Sequence, residues 1–421
     1  MSGQNRYFPA LNDIMTAEHT LGEILSPTPL IHNRNLSDKF GAEVMLKRED
    51  LQVVRSYKIR GAYNKIRSLT EEQTQRGIVC ASAGNHAQGV ALSCNKLGIK
   101  GKIFMPVTTP KQKINQVKMF GGEFVEVVLA GDTFDHANEA AEKACREEGK
   151  TFIPPFNDTK IIEGQGTVGL EILQQSRAAI DYVFVPIGGG GLASGIGSVF
   201  KQMSPQTKII GVEPAGAAGM KLSFERGEVT ELDHIEKFVD GAAVQRVGDI
   251  TFDICRQVLD DIVVIPEGKV CTKILELYNV DAIVVEPAGA LSISALDYYR
   301  EEIKGKNVVC VVSGSNNDIV RMEDIKERSL LYEGLKHYFV VRFPQRAGAL
   351  QNFVTNVLGP HDDITYFEYK KKTNREKGPV LIGIELQNPD DFAGLTQRML
   401  ENSIDFQYLN ANPSLFEFLI G

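Results

Sequence analysis

Tyr182-Val183-Phe184-Val185-Pro186-Ile187-Gly188-Gly189-Gly190-Gly191-Leu192 reads as a β-strand that runs straight into four consecutive glycines. The strand half is apolar at successive positions, as expected of a strand buried on both faces in a parallel sheet. The glycine half costs chain entropy, which is tolerated where backbone must approach a ligand closely or adopt positive φ. A helical pattern follows. Exposed N–H groups and a helix N-terminus together form an anion cradle, most often for phosphate.

Working outward, short apolar runs alternate with helix-like stretches. Strands are expected at Glu43–Leu46, Gly77–Ser82, Lys102–Val107, Glu123–Leu129, Lys208–Glu213, Ile262–Pro266 and Asn307–Ser313. Between them, Asp132–Glu148 places Phe134, Ala137, Ala141 and Ala144 at helical spacing, with Asp132 as N-cap. Such alternation predicts an α/β fold with parallel sheets. Near Arg321 the character changes. A charged segment, 321–335, reads as an exposed linking helix. Beyond it, His337–Phe343, Ile364–Lys370, Val380–Leu386 and Ser414–Ile420 read as strands, and Ala347–Leu358 and Asp391–Asn402 as helices. That βαββαβ order is the ferredoxin-like pattern. The expected organisation is a catalytic part over 1–320, with a small subdomain at roughly 42–155 inserted in the larger one, then the linker and a module over 336–421.

Composition narrows the function classes. At 421 residues the chain exceeds one ordinary core. The apolar fraction of 43% and charged fraction of 24% are those of a globular protein. With 46 basic against 54 acidic residues and a pI near 5.6, no basic field exists to attract nucleic acid or an anionic membrane. Met1 to Leu25 carries no signal-peptide pattern, and no apolar run reaches membrane-spanning length. Six scattered cysteines without a C-x-x-C pair point to free, mostly buried thiols in a reducing cytoplasm, not to zinc ligands or disulfides.

Chemistry collects at three strand-to-helix turns, all expected at carboxyl ends of parallel strands, where open α/β sheets bind ligands. They read Ser82-Ala83-Gly84-Asn85-His86, Gly188-Gly189-Gly190-Gly191-Leu192 and Ser313-Gly314-Ser315-Asn316-Asn317. A further stretch, Arg55-Ser56-Tyr57-Lys58-Ile59-Arg60-Gly61-Ala62, sets a primary amine at an expected helix start. The helix dipole and Arg60 would both disfavour the ammonium form of Lys58. A neutral amine forms an imine with an aldehyde, which an ammonium ion does not. The glycine turn also fits the dinucleotide fingerprint, as Gly188-x-Gly190-x-x-Ala193, with Glu213 spaced to grip a ribose. A nicotinamide-dependent oxidoreductase is therefore a competing reading, although it gives Lys58 and Asn85 no role. A Walker-type phosphate loop is absent from the sequence.

Taken together, Lys47-Arg48-Glu49-Asp50-Leu51-Gln52, the Ser56–Ala62 and Ser82–Gly89 stretches, Gly188–Leu192, Val285-Glu286-Pro287-Ala288-Gly289-Ala290 and Ser313–Asn316 resemble the signature set of fold-type II pyridoxal-phosphate enzymes. The likeness is to the threonine dehydratases (threonine ammonia-lyases), and it spans essentially the whole chain. It implies a tryptophan synthase β-like catalytic part with two parallel-sheet α/β subdomains. It also implies a single C-terminal ferredoxin-like ACT-like regulatory domain. By resemblance, Lys58 bonds pyridoxal 5'-phosphate, Gly188, Gly189, Gly190, Gly191 and Leu192 receive its phosphate, and Asn85 meets its phenolic oxygen. Ser313 faces the pyridine nitrogen, with Ser315 as an alternative. A hydroxyl there does not enforce a protonated ring, which favours elimination over longer-lived carbanion chemistry. The loop Ser82, Ala83, Gly84, Asn85 and His86 would meet the substrate carboxylate, with no proton-transfer role for His86. After Glu213 the run Pro214–Gly219 lacks the aspartate that related serine racemases place near a divalent cation, so no metal is expected.

The reaction implied is β-elimination. Lys58 removes the α-proton of L-threonine, or of L-serine, the β-hydroxyl leaves, and 2-oxobutanoate and ammonia result from threonine. The C-terminal module implies the biosynthetic member of the family, at the committed step towards isoleucine, inhibited by isoleucine with valine opposing. Arg346–Leu350 and Ile364–Tyr369 are the candidate effector segments by position. A cytoplasmic homotetramer or homodimer is implied. Alternatives are serine dehydratase, threonine synthase, the oxidoreductase, or a non-catalytic amino-acid sensor.

Overall fold

In the computed structural model, which describes residues 7–369 and 377–420, the strands are β1 (Leu30–His32), β2 (Glu43–Arg48), β3 (Ile78–Ala81), β4 (Gly101–Met105), β5 (Val125–Leu129), β6 (Thr151–Phe152), β7 (Tyr182–Pro186), β8 (Lys208–Pro214), β9 (Asp261–Ile265), β10 (Asn307–Val312), β11 (Lys336–Pro344), β12 (Asp363–Tyr369), β13 (Lys377–Glu385) and β14 (Asp405–Tyr408). The first ten form two sheets of one unit, Met1–Val320, and the last four the sheet of a second unit, Arg321–Gly421. Residues 1–6 of the N-terminal stretch and Lys370 of an expected strand lie outside the described residues.

The larger sheet has the order β1-β2-β10-β7-β8-β9, parallel except for β1. β7 is buried at every position because both faces are covered. Val183 and Val185 pack with Leu192 and Ile196 of the helix Gly191–Met203. Tyr182 and Phe184, on the other face, pack against Tyr299. The smaller sheet, β5-β4-β3-β6, is wholly parallel. One face sets Ile78, Cys80, Ile103 and Met105 against Ala62, Ile66, Val90 and Ala91. The other sets Val79, Ala81 and Phe104 against Ala137, Ala141 and Ala144.

Some expectations are corrected. β2 belongs to the larger sheet, so the smaller subdomain begins after Arg48 and not at residue 42. The short strands β1 and β6 were not legible: neither is long enough to show a period. The helix expected from Asp132 runs Phe134–Glu148 with Thr133 as its cap, its hydroxyl accepting from the His136 N–H, and Phe134 is exposed. All six cysteines are unpaired thiols and five are buried.

In the C-terminal unit the order β12-β13-β11-β14, antiparallel throughout, is the ferredoxin-like arrangement. Its final strand is β14, not Ser414–Ile420. Pro413 at the first helical position and the Asn412 side chain, which accepts from the Leu415 N–H, start a helix there, Pro413–Leu419. The segment before the module is the helix Met322–Tyr332, with Ile325 and Ser329 buried.

A buried ionic cluster anchors the helix that begins at Lys58. Arg60, on the helix Lys58–Arg67, donates to Glu49 at 2.8 Å and to Glu171 at 2.6 Å, and Lys47 donates to Glu171 at 2.5 Å. Glu171 lies on the helix Thr159–Gln175, which crosses so closely that a Cβ on Gly61 would sit 2.9 Å from the Ile161 carbonyl. Burial opposes charge on Arg60, but Glu49 and Glu171 outweigh it and hold its pKa above the ordinary value. Removing one partner of such a cluster strands an uncompensated charge.

Candidate active site

Two backbone clasps bring the Lys58 segment to the end of β10. Ser56 and Gly314 form an isolated antiparallel bridge, and the Tyr57 N–H donates to the Ser313 carbonyl at 3.2 Å. The Ser315 N–H donates to the Arg55 carbonyl at 2.9 Å. Arg55 adopts φ +58, a left-handed conformation that costs a non-glycine residue and persists only where surroundings over-determine it.

Lys58, the first residue of its helix, reaches the Pro155 carbonyl with its Nζ at 3.0 Å. The next residue, Phe156, lays its ring on the glycine turn, where a Cβ on Gly189 would stand 2.3 Å from it. Burial pushes the Lys58 amine down to about 8, against the pull of Glu286. This corrects the expected cause. Arg60 is committed to Glu49 and Glu171, and withdrawal from water lowers the lysine.

Two carbonyls of the glycine turn are engaged within the fold: Gly189 O accepts from the Thr251 hydroxyl at 2.6 Å and Gly190 O from the Ser194 N–H at 2.9 Å. Gly190 sits at φ +92 and caps the helix Gly191–Met203. A Cβ there would meet the Met220 methyl at 2.7 Å. N–H groups at the mouth of a helix suit a phosphate.

The turn after β3 is joined to the turn after β10. Asn85, at the start of the helix Asn85–Leu97, donates from Nδ2 to Glu286 Oε1 at 2.7 Å and accepts from Asn316 Nδ2 at 2.7 Å. The Ser82 N–H is donated to the Phe104 carbonyl and the Gly84 N–H to the Ser82 hydroxyl. The N–H groups of Ser82 and Gly84 are thus engaged within the fold, which leaves the amides of Ala83 and of Asn85 onward to meet an anion. His86 turns inward to the Ile153 carbonyl at 2.9 Å, and burial, with Lys58, pushes it down to about 3. The ring is held neutral against that carbonyl. Ser313 is buried at the end of β10. The Ser315 hydroxyl donates to the Asp50 carbonyl at 3.2 Å, which occupies its proton and favours Ser313 for a ring-nitrogen contact.

Glu213 is not a ribose grip. It is buried, and its two oxygens accept from the Met220 and Lys221 N–H groups at 2.8 Å each, closing the start of the helix Gly219–Arg226. The dinucleotide fingerprint thereby loses its acidic partner. Among the described residues no group of His, Cys, Asp or Glu is arranged to hold a metal ion.

Three groups had no role in the sequence reading. Pro155 and Phe156 link the lysine to the glycine turn. Glu286 is buried before the helix Pro287–Ser294, and its carboxyl is pushed up to about 7 by burial first and Asp240 second, with Asn85 and Lys113 opposing. Asn316 connects it to Asn85. One signal was available: a glutamate directly preceding a proline-led helix that is apolar all round has nowhere exposed to go.

The arrangement fits pyridoxal phosphate: a partly desolvated amine, glycine amides at a helix mouth, an amide side chain and a hydroxyl lie on segments that contact one another at strand ends. Comparison with known proteins gives the same picture. Residues 22–314 match the family described as pyridoxal-phosphate dependent enzyme, and residues 327–419 match the C-terminal regulatory domain of threonine dehydratase. The chain is 58% identical over 411 residues to the biosynthetic L-threonine dehydratase IlvA of Halalkalibacterium halodurans, covering 97% of this chain and 99% of that one. The processed form of threonine deaminase isoform 2 from Solanum lycopersicum superposes with a TM-score of 0.72 at 39% identity, over 77% of this chain and 96% of the other. Maize serine racemase superposes with a TM-score of 0.71 at 30% identity, over 77% and 99%.

Proposed function

The chain belongs to the biosynthetic threonine dehydratases, enzymes that depend on pyridoxal phosphate, and from that premise we propose the residues that carry its reaction and its control. When bound, the cofactor takes up the amino acid's nitrogen through its aldehyde and draws electrons from Cα, making the α-proton acidic. Lys58 is the residue that would hold the cofactor, and its amine would remove that proton. Burial supports this role, since an amine pushed down to about 8 keeps a far larger neutral fraction near physiological pH than an ordinary lysine does. The Pro155 carbonyl, 3.0 Å from Nζ, aims the amine without neutralising it. Amides of Gly188 to Leu192 would hold the phosphate, Asn85 would meet the phenolic oxygen, and the Ser313 hydroxyl would face the pyridine nitrogen. Amides at the start of the helix Asn85–Leu97 orient the substrate carboxylate. Loss of the β-hydroxyl from L-threonine then leads to 2-oxobutanoate and ammonia.

The observation that carries the assignment is the convergence at Lys58: its amine on Pro155, Phe156 on Gly189, and Tyr57 on the Ser313 backbone. Isoleucine is the effector this reading places in the C-terminal unit, with valine opposing. A pocket of about 330 Å³ there is lined by Phe343, Arg346, Leu350, Phe367 and Tyr369, an apolar wall beside one guanidinium. That chemistry suits a branched side chain and a carboxylate. The reading extends to a cytoplasmic homotetramer or homodimer. The experiment is threonine turnover, followed as 2-oxobutanoate, with and without isoleucine. Turnover that isoleucine suppresses and valine restores supports the reading. Absence of oxoacid from a cofactor-loaded preparation overturns it.

A further inference from the structure

We propose that Glu286 and Asn316 are positioning residues that lock the Asn85 amide in the one orientation that points an N–H at the phenolic oxygen of bound pyridoxal phosphate. The proposal rests on the reading of Asn85 given above and deepens it. Oxygen and nitrogen of a side-chain amide are alike in shape, so the partners must decide which is which. Here they do so without ambiguity, starting from a backbone carbonyl. Asn316 Nδ2 lies 2.9 Å from the Val54 carbonyl, an acceptor only, which fixes the Asn316 amide. Its second hydrogen goes to Asn85 Oδ1 at 2.7 Å, so the Asn85 oxygen faces Asn316 and its nitrogen faces Glu286 Oε1, also at 2.7 Å. The other carboxylate oxygen of Glu286 accepts from the Asn316 N–H at 3.1 Å and closes a ring of three residues. One N–H of Asn85 remains. It is the donor this geometry reserves for the ligand.

The backbone is cleared for the carboxylate. A Cβ on Gly314 would stand 2.6 Å from Glu286 Oε1, and one on Gly241 3.2 Å from it. A glutamate kept 4% exposed behind two glycines has no exposed face to serve. The charged groups acting on it are Asp240, Lys113 and Lys58. Asp240 and Lys113 themselves pair at 2.7 Å, and Lys58 is directed to Pro155. Its two oxygens are thus free to order amides. Glutamine in its place would turn an N–H towards either Asn85 Nδ2 or the Asn316 N–H, both donors. Either placement loses one of the two bonds that hold the Asn85 amide in register, and where the new N–H faces Asn85 it favours the flipped amide, whose oxygen would oppose a negative phenolic oxygen.

The test uses the cofactor-loaded full chain and reads the visible absorption band of bound pyridoxal phosphate across the neutral to alkaline range, together with the dissociation constant for pyridoxal phosphate. Glu286→Gln, Asn316→Ala and Asn85→Ala should each move the band's apparent pKa by about one unit and weaken cofactor binding about tenfold. Glu286→Asp, which keeps two acceptor oxygens, should restore most of the band position. If Asn85→Ala moves the band while Glu286→Gln and Asn316→Ala leave it in place, the positioning role is wrong and the cofactor contact stands. If Asn85→Ala also leaves it in place, the contact and the positioning role fall together. Should Glu286→Gln fail to fold, Asn316→Ala decides alone.

Discussion

Two of the buried charge groups in the catalytic unit are treated in opposite ways. Around Arg60, two cations and two carboxylates meet in matched pairs: Arg60 with Glu49 and Glu171, Lys47 with Glu171. Burial would raise the Glu171 carboxyl, but Arg60 and Lys47 outweigh it and hold it low. Around Lys58, compensation is withheld. The lysine has a carbonyl in place of a carboxylate and drifts down, while Glu286 has amides in place of a cation and drifts up. The first group fixes where a helix lies. The second gives that helix's first residue a usable proton affinity. Two residues apart, Arg60 and Lys58 therefore do unrelated work.

Substituting each in turn tests that contrast most harshly. Lys58→Ala should lower threonine turnover by at least about 10³-fold, measured as 2-oxobutanoate release, while the fold survives. Arg60→Met should do the reverse, costing about 3–5 kcal/mol in denaturant unfolding because Glu49 and Glu171 lose their shared cation. If Arg60→Met folds with native stability, the matched pairs are not what holds the helix.

An exposed charge belongs to neither group and should show a smaller effect. Arg346→Ala should raise the isoleucine concentration needed for half-inhibition about tenfold, with uninhibited turnover unchanged. Equal sensitivity in the variant would remove the pocket of the C-terminal unit as the effector site.

The legible part of this architecture was local. The glycine run, the Lys58 stretch and the Asn85 turn each announce their chemistry within a few residues, and the strands that carry them are long and apolar enough to be read. What escaped was written across distance. Asn85 and Glu286 are 201 positions apart, and Lys58 and Pro155 are 97 apart, so no local pattern joins them. The direction of the Lys58 shift was readable and its cause was not. Arg60 looked like a neighbouring charge in sequence, but two residues are about half a helical turn, which sends it to the opposite face, towards Glu171. At the C-terminus, apolar residues from Leu415 to Ile420 suggested a strand until Asn412 and Pro413 are recognised as a cap and a first turn.

Titration gives the smallest and most graded effects. On the reading that Lys58 is a free amine only after substrate has released it from the cofactor, kcat should rise with pH and level off with a midpoint below the ordinary lysine value. Stability follows the same group. Its folded pKa is depressed below that of the unfolded lysine, so the buried ammonium destabilises the cofactor-free chain most below about 8, and the penalty fades as pH rises towards the ordinary lysine value. Lys58→Met should therefore be the more stable protein at neutral pH, by about 1–3 kcal/mol for a partly solvated amine, with the gap closing in alkali.

Whether Lys58 is the residue that bonds the cofactor is answered by borohydride reduction of the loaded protein, followed by peptide mass analysis. Reduction fixes the cofactor to whichever lysine holds it. The account predicts the added pyridoxyl mass on the peptide containing Lys58 and on no other. The same mass on a different lysine, with the Lys58 peptide unmodified, would contradict it.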